Sequence, residues 1–85
     1  MAKKVIMYVK DYCPFCTRAK ALLENKQVEF ETINLEGKEE EYTQLKAKTG
    51  MQTVPQIFIG DHFVGGYREL AAFEATGELD RLLHS

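Results

Sequence analysis

Short β-branched apolar runs alternate along this chain with stretches whose apolar residues recur at helical spacing, and this alternation restricts most what it can fold into. Val5 to Val9 is a continuous apolar run of strand length, and it reads as a fully buried strand. Phe15, Ala19, Leu22 and Leu23 then follow at helical spacing, with Arg18, Lys20 and Glu24 free for the opposite face. Pro14 suits the first turn of that helix, where its missing N–H has no partner to lose. Val28 to Leu35 reads as a second strand, with Val28 and Phe30 on one face and Ile33 and Leu35 on the other. A second helix follows Gly37. It begins in the acidic run Glu39-Glu40-Glu41, carries Tyr42 and Leu45 inward, and ends near Gly50.

Thr53-Val54-Pro55 leads into a third strand, Gln56 to Ile59, and Gly60-Asp61 turns the chain into His62-Phe63-Val64 as a hairpin. Gly65-Gly66 opens a helix containing Leu70 and Phe73, stopped near Gly77, and a last short turn carries Leu79, Leu82 and Leu83. The order is β-α-β-α-β-β-α. A helix crossing between the first two strands makes them parallel, and the hairpin adds an antiparallel pair. The expectation is an α/β domain, a mixed four-stranded sheet with helices on both faces. With 85 residues there is room for one domain, 1–85, and not for two.

Both cysteines sit in one motif, Cys13-Pro14-Phe15-Cys16, just after the first strand. Zinc would need about four ligands, and His62 and His84 lack the paired spacing of a zinc site. A structural bridge closing so short a loop would constrain the unfolded chain little. A CxxC at the end of the first strand of a βαβ unit is the signature of a thioredoxin-like redox motif. Redox chemistry is therefore the reading carried forward, with no metal site.

Composition narrows the partners. A formal charge of −2, with basic residues spread from Lys3 to Arg81, gives no reason to expect nucleic acid or an anionic membrane. No segment approaches transmembrane length. The opening Met1-Ala2-Lys3-Lys4 has the charge of a signal n-region, but the apolar run behind it is short and closed by Lys10-Asp11. A cytoplasmic location is expected, where stable structural disulfides are rare.

Three separated motifs, Cys13-Pro14-Phe15-Cys16, Thr53-Val54-Pro55 and Gly65-Gly66, together resemble the dithiol glutaredoxins over nearly the whole chain. The family usually has Tyr at the position of Phe15. The resemblance implies a thioredoxin-like fold, a cis peptide before Pro55, and glutathione as co-substrate with no bound cofactor. It also implies a glutathione groove made from Lys10, Tyr12, Phe15, Thr53, Val54, Pro55, Gly66, Tyr67 and Arg68. There the Val54 backbone would pair with the cysteinyl part of glutathione as an added strand. Lys10 would meet the glycine carboxylate. The Gly66 and Tyr67 backbone, at a helix N-terminus, would meet the γ-glutamyl carboxylate.

Arg68 departs from the pattern, because the family often has Asp or Ser there to accept from the glutathione ammonium. Gly66-Tyr67-Arg68 instead resembles redoxins that serve ribonucleotide reductase and are recharged by thioredoxin reductase. Those relatives usually lack the Cys-Pro-aromatic-Cys form and the Thr-Val-Pro triplet. Expected partners are glutathione and glutathionylated or disulfide-containing proteins, with ribonucleotide reductase a candidate among them, and a monomer is expected.

The chemistry asks for a thiolate, and an unperturbed cysteine, with a pKa of about 8.5, is mostly protonated at neutral pH. Lowering that value by about three units takes about 4 kcal/mol, of which a helix dipole supplies at most about 2. Directed backbone hydrogen bonds near Phe15 and Cys16 must add the rest. Cys13 is thus expected to attack and Cys16 to resolve. Two other classes stand beside this reading. Some glutaredoxin relatives carry a bridged [2Fe–2S] cluster, but usually with Gly after the first cysteine and Ser last, where this chain has Pro14 and Cys16. A passive binding module of thioredoxin-like fold is the other, and the intact CxxC argues against it.

Overall fold

The computed structural model describes residues 3–84, so Met1 and Ala2 of the basic opening lie outside it. Along the chain come β1 (Val5–Val9), α1 (Pro14–Asn25), β2 (Glu31–Asn34) and α2 (Glu39–Thr49). The hairpin strands β3 (Gln56–Ile59) and β4 (His62–Gly65) follow, then α3 (Tyr67–Thr76) and α4 (Glu78–Leu83). The expected order is present with an eighth element added. Leu79 and Leu83, at helical spacing, are both fully buried, and the final turn becomes α4.

The four strands form one sheet in the order β2-β1-β3-β4. β1 and β2 are parallel, joined by α1, while β1 with β3 and β3 with β4 are antiparallel. Val5, Met7 and Val9 point from β1 into the core, where Ile57, Ile59 and Val64 join them from the hairpin. Ala19 and Leu23 of α1, Leu70 of α3, and Leu79 and Leu83 of α4 close that core from one side.

On the other face Ile6 and Tyr8 are only half-buried, so β1 alternates instead of being buried throughout. The reason is α2. Leu45 is its one buried residue, and the helix covers this face with little apolar surface. The aromatic edge of the sheet compensates in part, with Tyr8 packed edge-on against Phe58 and Phe58 against Phe63.

β2 is shorter than the apolar pattern of Val28 to Leu35 suggests. The Val28 N–H donates to the Leu23 carbonyl at 3.1 Å, so this backbone finishes the end of α1 and cannot yet join the ladder. Val28 and Phe30 still pack against the core as partly buried side chains. Among the described residues no helix is long and apolar enough to cross a membrane.

Lys26, which caps the end of α1, ties the helices of the main core together. Its Nζ lies 2.8 Å from Glu74 of α3 and 2.9 Å from Asp80 of α4, with the side chain 18% exposed. The hydrogen bond with Glu74, then that with Asp80, raises the Lys26 pKa above its ordinary 10.5. A group whose pKa is raised on folding stabilises the fold below its unfolded pKa and loses that contribution as pH climbs through the folded value. Replacing Lys26 with Met should therefore cost about 1 kcal/mol at pH 7, the upper end for exposed ion pairs. The gap between the two proteins in urea unfolding should begin to narrow above about pH 10.5 and close as pH passes the raised folded value. An equal gap at pH 7 and pH 11 would mean that the charge is not the source.

Candidate active site

β1 delivers the chain to the sheet's edge, and the next residues are fastened to the end of β2. The Asp11 N–H donates to Glu36 Oε1 at 3.3 Å, and Asn34 Nδ2 donates to Asp11 Oδ1 at 2.9 Å. Tyr12 then takes a left-handed backbone, φ 55°, with its side chain fully exposed. Cys13 returns to an extended conformation as the N-cap of α1, and Pro14 begins the helix proper.

A capping residue usually presents an oxygen to the free N–H groups of the first turn. Here it presents sulfur. The Cys16 N–H donates to Cys13 Sγ at 3.1 Å, while the Thr17 N–H donates to the Cys13 carbonyl at 3.1 Å. Cys13 and Cys16 are joined as a disulfide with their Cα atoms 5.2 Å apart. The two sulfurs differ in access: Cys13 is half-exposed, and Cys16 is 2% exposed and part of the core.

Opposite Cys13 runs the loop from Gly50 to Pro55. Its Val54 carbonyl lies 3.8 Å from Cys13 Sγ, and the Val54–Pro55 peptide is cis. One buried amide holds this loop. Gln56, 0% exposed, donates from Nε2 to the Met51 carbonyl at 2.8 Å and to the Thr53 carbonyl at 3.0 Å. The Thr49 hydroxyl donates to Gln56 Oε1 at 2.8 Å, so both ends of the amide are satisfied.

Between this loop and the start of α3 lies an open groove of about 260 Å³. Thr53, Val54 and Pro55 form one wall, Gly66, Tyr67 and Arg68 the other, and Phe15 the rim nearest Cys13. The Phe15 ring stacks on Tyr67 at 6.1 Å between centroids, with the Arg18 guanidinium 5.3 Å from the Phe15 centroid. The two glycines differ: Gly65 takes a left-handed backbone that strains any side chain, while a Cβ on Gly66 would require only the end of the Met51 side chain to move. A Cβ on Gly65, at φ +121°, would come within 2.9 Å of Glu69, and one on Gly66 within 2.8 Å of Met51.

Seven of the nine residues expected to line a groove are thus brought to one. The other two are not among them. Lys10 leans over the ring of Tyr42, 4.8 Å from its centroid, and Tyr12 projects into solvent. Met51 and Glu69 line the groove without having been singled out. Glu69 alters the anion site: its Oε1 accepts from the Gly66 N–H at 2.8 Å, so that amide is already occupied. The first-turn amides of α3 without an intrahelical acceptor are then those of Tyr67, Arg68 and Glu69. The capping Glu three residues past the glycine is the sequence signal that could have revealed this.

A family model described as glutaredoxin matches residues 5–64, which carry every element from β1 into β4. Among similar proteins, a glutaredoxin of Pseudomonas aeruginosa is 48% identical over 79 residues, covering 93% of this chain and 94% of the relative. Glutaredoxin 3 of Escherichia coli (strain K12) is 43% identical, covering 93% and 95%. Of solved structures, the solution structure of a Brucella melitensis glutaredoxin superposes with a TM-score of 0.87 at 44% identity, covering 96% of this chain and 89% of that one. A buckwheat glutaredoxin–glutathione complex does so with 0.89 at 29% identity, covering 93% and 74%. A capping cysteine in a CxxC, the mixed four-stranded sheet behind it and these similarities along nearly the full length agree: the chain belongs to the glutaredoxin family, as a thiol–disulfide oxidoreductase of the glutaredoxin type.

Proposed function

We propose that this protein uses glutathione as its reductant, with Cys13 as the nucleophile and Cys16 as the resolving thiol. The observation that carries the reading is the half-exposed Cys13 sulfur at the N-terminus of α1, with the Cys16 N–H aimed at it. An amide pointed at sulfur at the positive end of a helix favours the anion over the thiol.

Two routes use that thiolate. On a glutathionylated protein, Cys13 attacks the glutathione sulfur, the protein leaves as a thiolate, and a second glutathione attacks the Cys13 mixed disulfide. Glutathione disulfide leaves and the Cys13 thiolate returns. On a protein disulfide, Cys13 attacks one sulfur and the other leaves as a thiolate. Cys16 then attacks Cys13 Sγ and expels the substrate as its second thiol. The resulting Cys13–Cys16 bridge is reduced by two glutathiones, which leave as one glutathione disulfide. A reducing compartment such as the cytoplasm suits both routes.

The groove beside Cys13 is the place for glutathione, the ligand in the buckwheat glutaredoxin complex. An extended peptide against Val54 would take main-chain hydrogen bonds as an added strand, and a carboxylate would meet the Tyr67 and Arg68 amides. Turnover with glutathione and with thioredoxin reductase as electron source tests the reading. Glutathione should support turnover. Cys13→Ser should abolish it on every substrate, and Cys16→Ser should keep deglutathionylation while losing protein-disulfide reduction. An inactive Cys16→Ser beside an active Cys13→Ser would reverse the roles, and turnover with thioredoxin reductase alone would remove glutathione from the account.

Arg68 sets the quality of the fit. In this pose the glutathione ammonium lies near an exposed guanidinium, and like charges at close range in water cost about 1 kcal/mol. That is roughly a fivefold to tenfold weaker interaction. Arg68→Asp should therefore lower KM for glutathione by about that factor at low salt, with kcat little changed. A raised KM would make Arg68 an anion-binding residue, and an unchanged one would place its side chain outside the site.

A further inference from the structure

Met51 belongs to the loop wall of the groove by its backbone and reaches the opposite wall with its side chain. Its N–H donates to the Thr49 hydroxyl at 3.2 Å, and its carbonyl accepts from Gln56 Nε2 at 2.8 Å, so the backbone is held on both sides. The side chain lines the groove, and its terminal methyl carbon lies 2.8 Å from where a Cβ would stand on Gly66. The same point is 3.4 Å from Glu69 Oε1 and 3.4 Å from the Pro55 carbonyl oxygen. A methyl thioether thus packs onto Gly66 beside two oxygen acceptors.

Access sets this thioether apart. The chain has three methionines, and of the two among the described residues Met7 is 0% exposed in the core. Met51 is part-exposed in an open groove, where a small oxidant reaches its sulfur. A hydroperoxide transfers one oxygen atom to Met51 Sδ. The sulfur gives up two electrons to become the sulfoxide, and hydrogen peroxide leaves as water.

Oxidation turns a flexible apolar side chain into a polar one. The sulfoxide oxygen accepts hydrogen bonds and cannot donate them. At Gly66 it would meet two further acceptors, Glu69 Oε1 and the Pro55 carbonyl, and the Gly66 N–H is already given to Glu69. The backbone of Met51 is held by Thr49 and Gln56, so the end of the side chain is what moves. It turns into the groove, the space that a thiol peptide would fill.

We propose that Met51 is a modification site, whose oxidation by a hydroperoxide obstructs the groove to glutathione and whose reduction by a methionine sulfoxide reductase clears it again. The reductase takes the oxygen back as water, its own thiols supplying the two electrons. The inference rests on the glutathione reading above and gives the groove a control separate from the cysteines. In the Cys13–Cys16 disulfide neither sulfur is a thiolate, so peroxide can reach Met51 without consuming the nucleophile.

That protection supplies the test. The disulfide form is treated with hydrogen peroxide, freed of it, and reduced with dithiothreitol, which reopens the bridge and leaves the sulfoxide in place. Peptide mapping should find Met51 oxidised and Met7 intact. KM for glutathione on one glutathionylated substrate should then be about fivefold higher with kcat unchanged, as for one unmatched polar group against a ligand. Methionine sulfoxide reductase should return KM to its starting value. Met51→Leu, which keeps an apolar side chain and has no thioether to oxidise there, should show the same KM before and after peroxide. An unchanged KM with Met51 fully oxidised overturns the proposal, as does a Met51→Leu protein that responds to peroxide like the unaltered one. Met7 oxidised as fast as Met51, or a KM still raised once the sulfoxide has been removed, overturns it as well. If the untreated protein turns over glutathione and only the peroxide effect is missing, the control alone fails. If the untreated protein does not use glutathione at all, the function reading fails and the control falls with it.

Discussion

The buried amide of Gln56 is the interaction on which the active end depends. The loop from Gly50 to Pro55 has no ladder of its own, yet it must present Val54 at a fixed height beside Cys13. Gln56 lies at the start of β3, so its backbone is set by the sheet while its side chain reaches back into the loop. Leaving a buried amide without partners costs about 1–3 kcal/mol per group. With Met51, Thr53 and Thr49 all bonded to it, the loop cannot shift without breaking several of those bonds at once. The rigidity of the sheet is thereby passed to the residue nearest the sulfur.

The start of α1 is built for negative charge on sulfur in a way that the other helices are not. α2, α3 and α4 all carry acidic residues in the first turn, which satisfy the positive end of the helix. α1 carries none there. Its free amides and dipole are left to the Cys13 sulfur, with Cys16 supplying the directed N–H. The same turn buries Cys16 against the core, and so a single helical turn separates an accessible sulfur from a protected one.

Much of this was legible in the sequence because periodicity and spacing are local properties. β1, α1, α2, the hairpin and α3 follow from apolar patterns and from Pro14, Gly50 and Gly77, and the mixed sheet follows from their order. The β2 boundary was not legible, because Val28 and Phe30 are apolar for packing reasons while the Val28 N–H serves the end of α1. Neither was the half-exposed face of β1, which depends on how little apolar surface α2 brings. At the site, residues carried by motifs came together as a groove. Residues whose roles depend on a distant partner did not declare themselves: Gln56 read as an ordinary strand residue. Tyr12 shows the converse, since the family resemblance implies a lining residue while its side chain, on a left-handed backbone, is fully exposed.

The central claim is that one turn of helix gives the two cysteines different reactivities, and limited alkylation of the fully reduced protein tests it most directly. With less than one equivalent of iodoacetamide at pH 7, followed by peptide mapping, the label should fall on Cys13 with little on Cys16. Exposure of the Cys13 sulfur and the amide directed at it both favour that outcome. Equal labelling of the two cysteines, or preferential labelling of the buried Cys16, would contradict it.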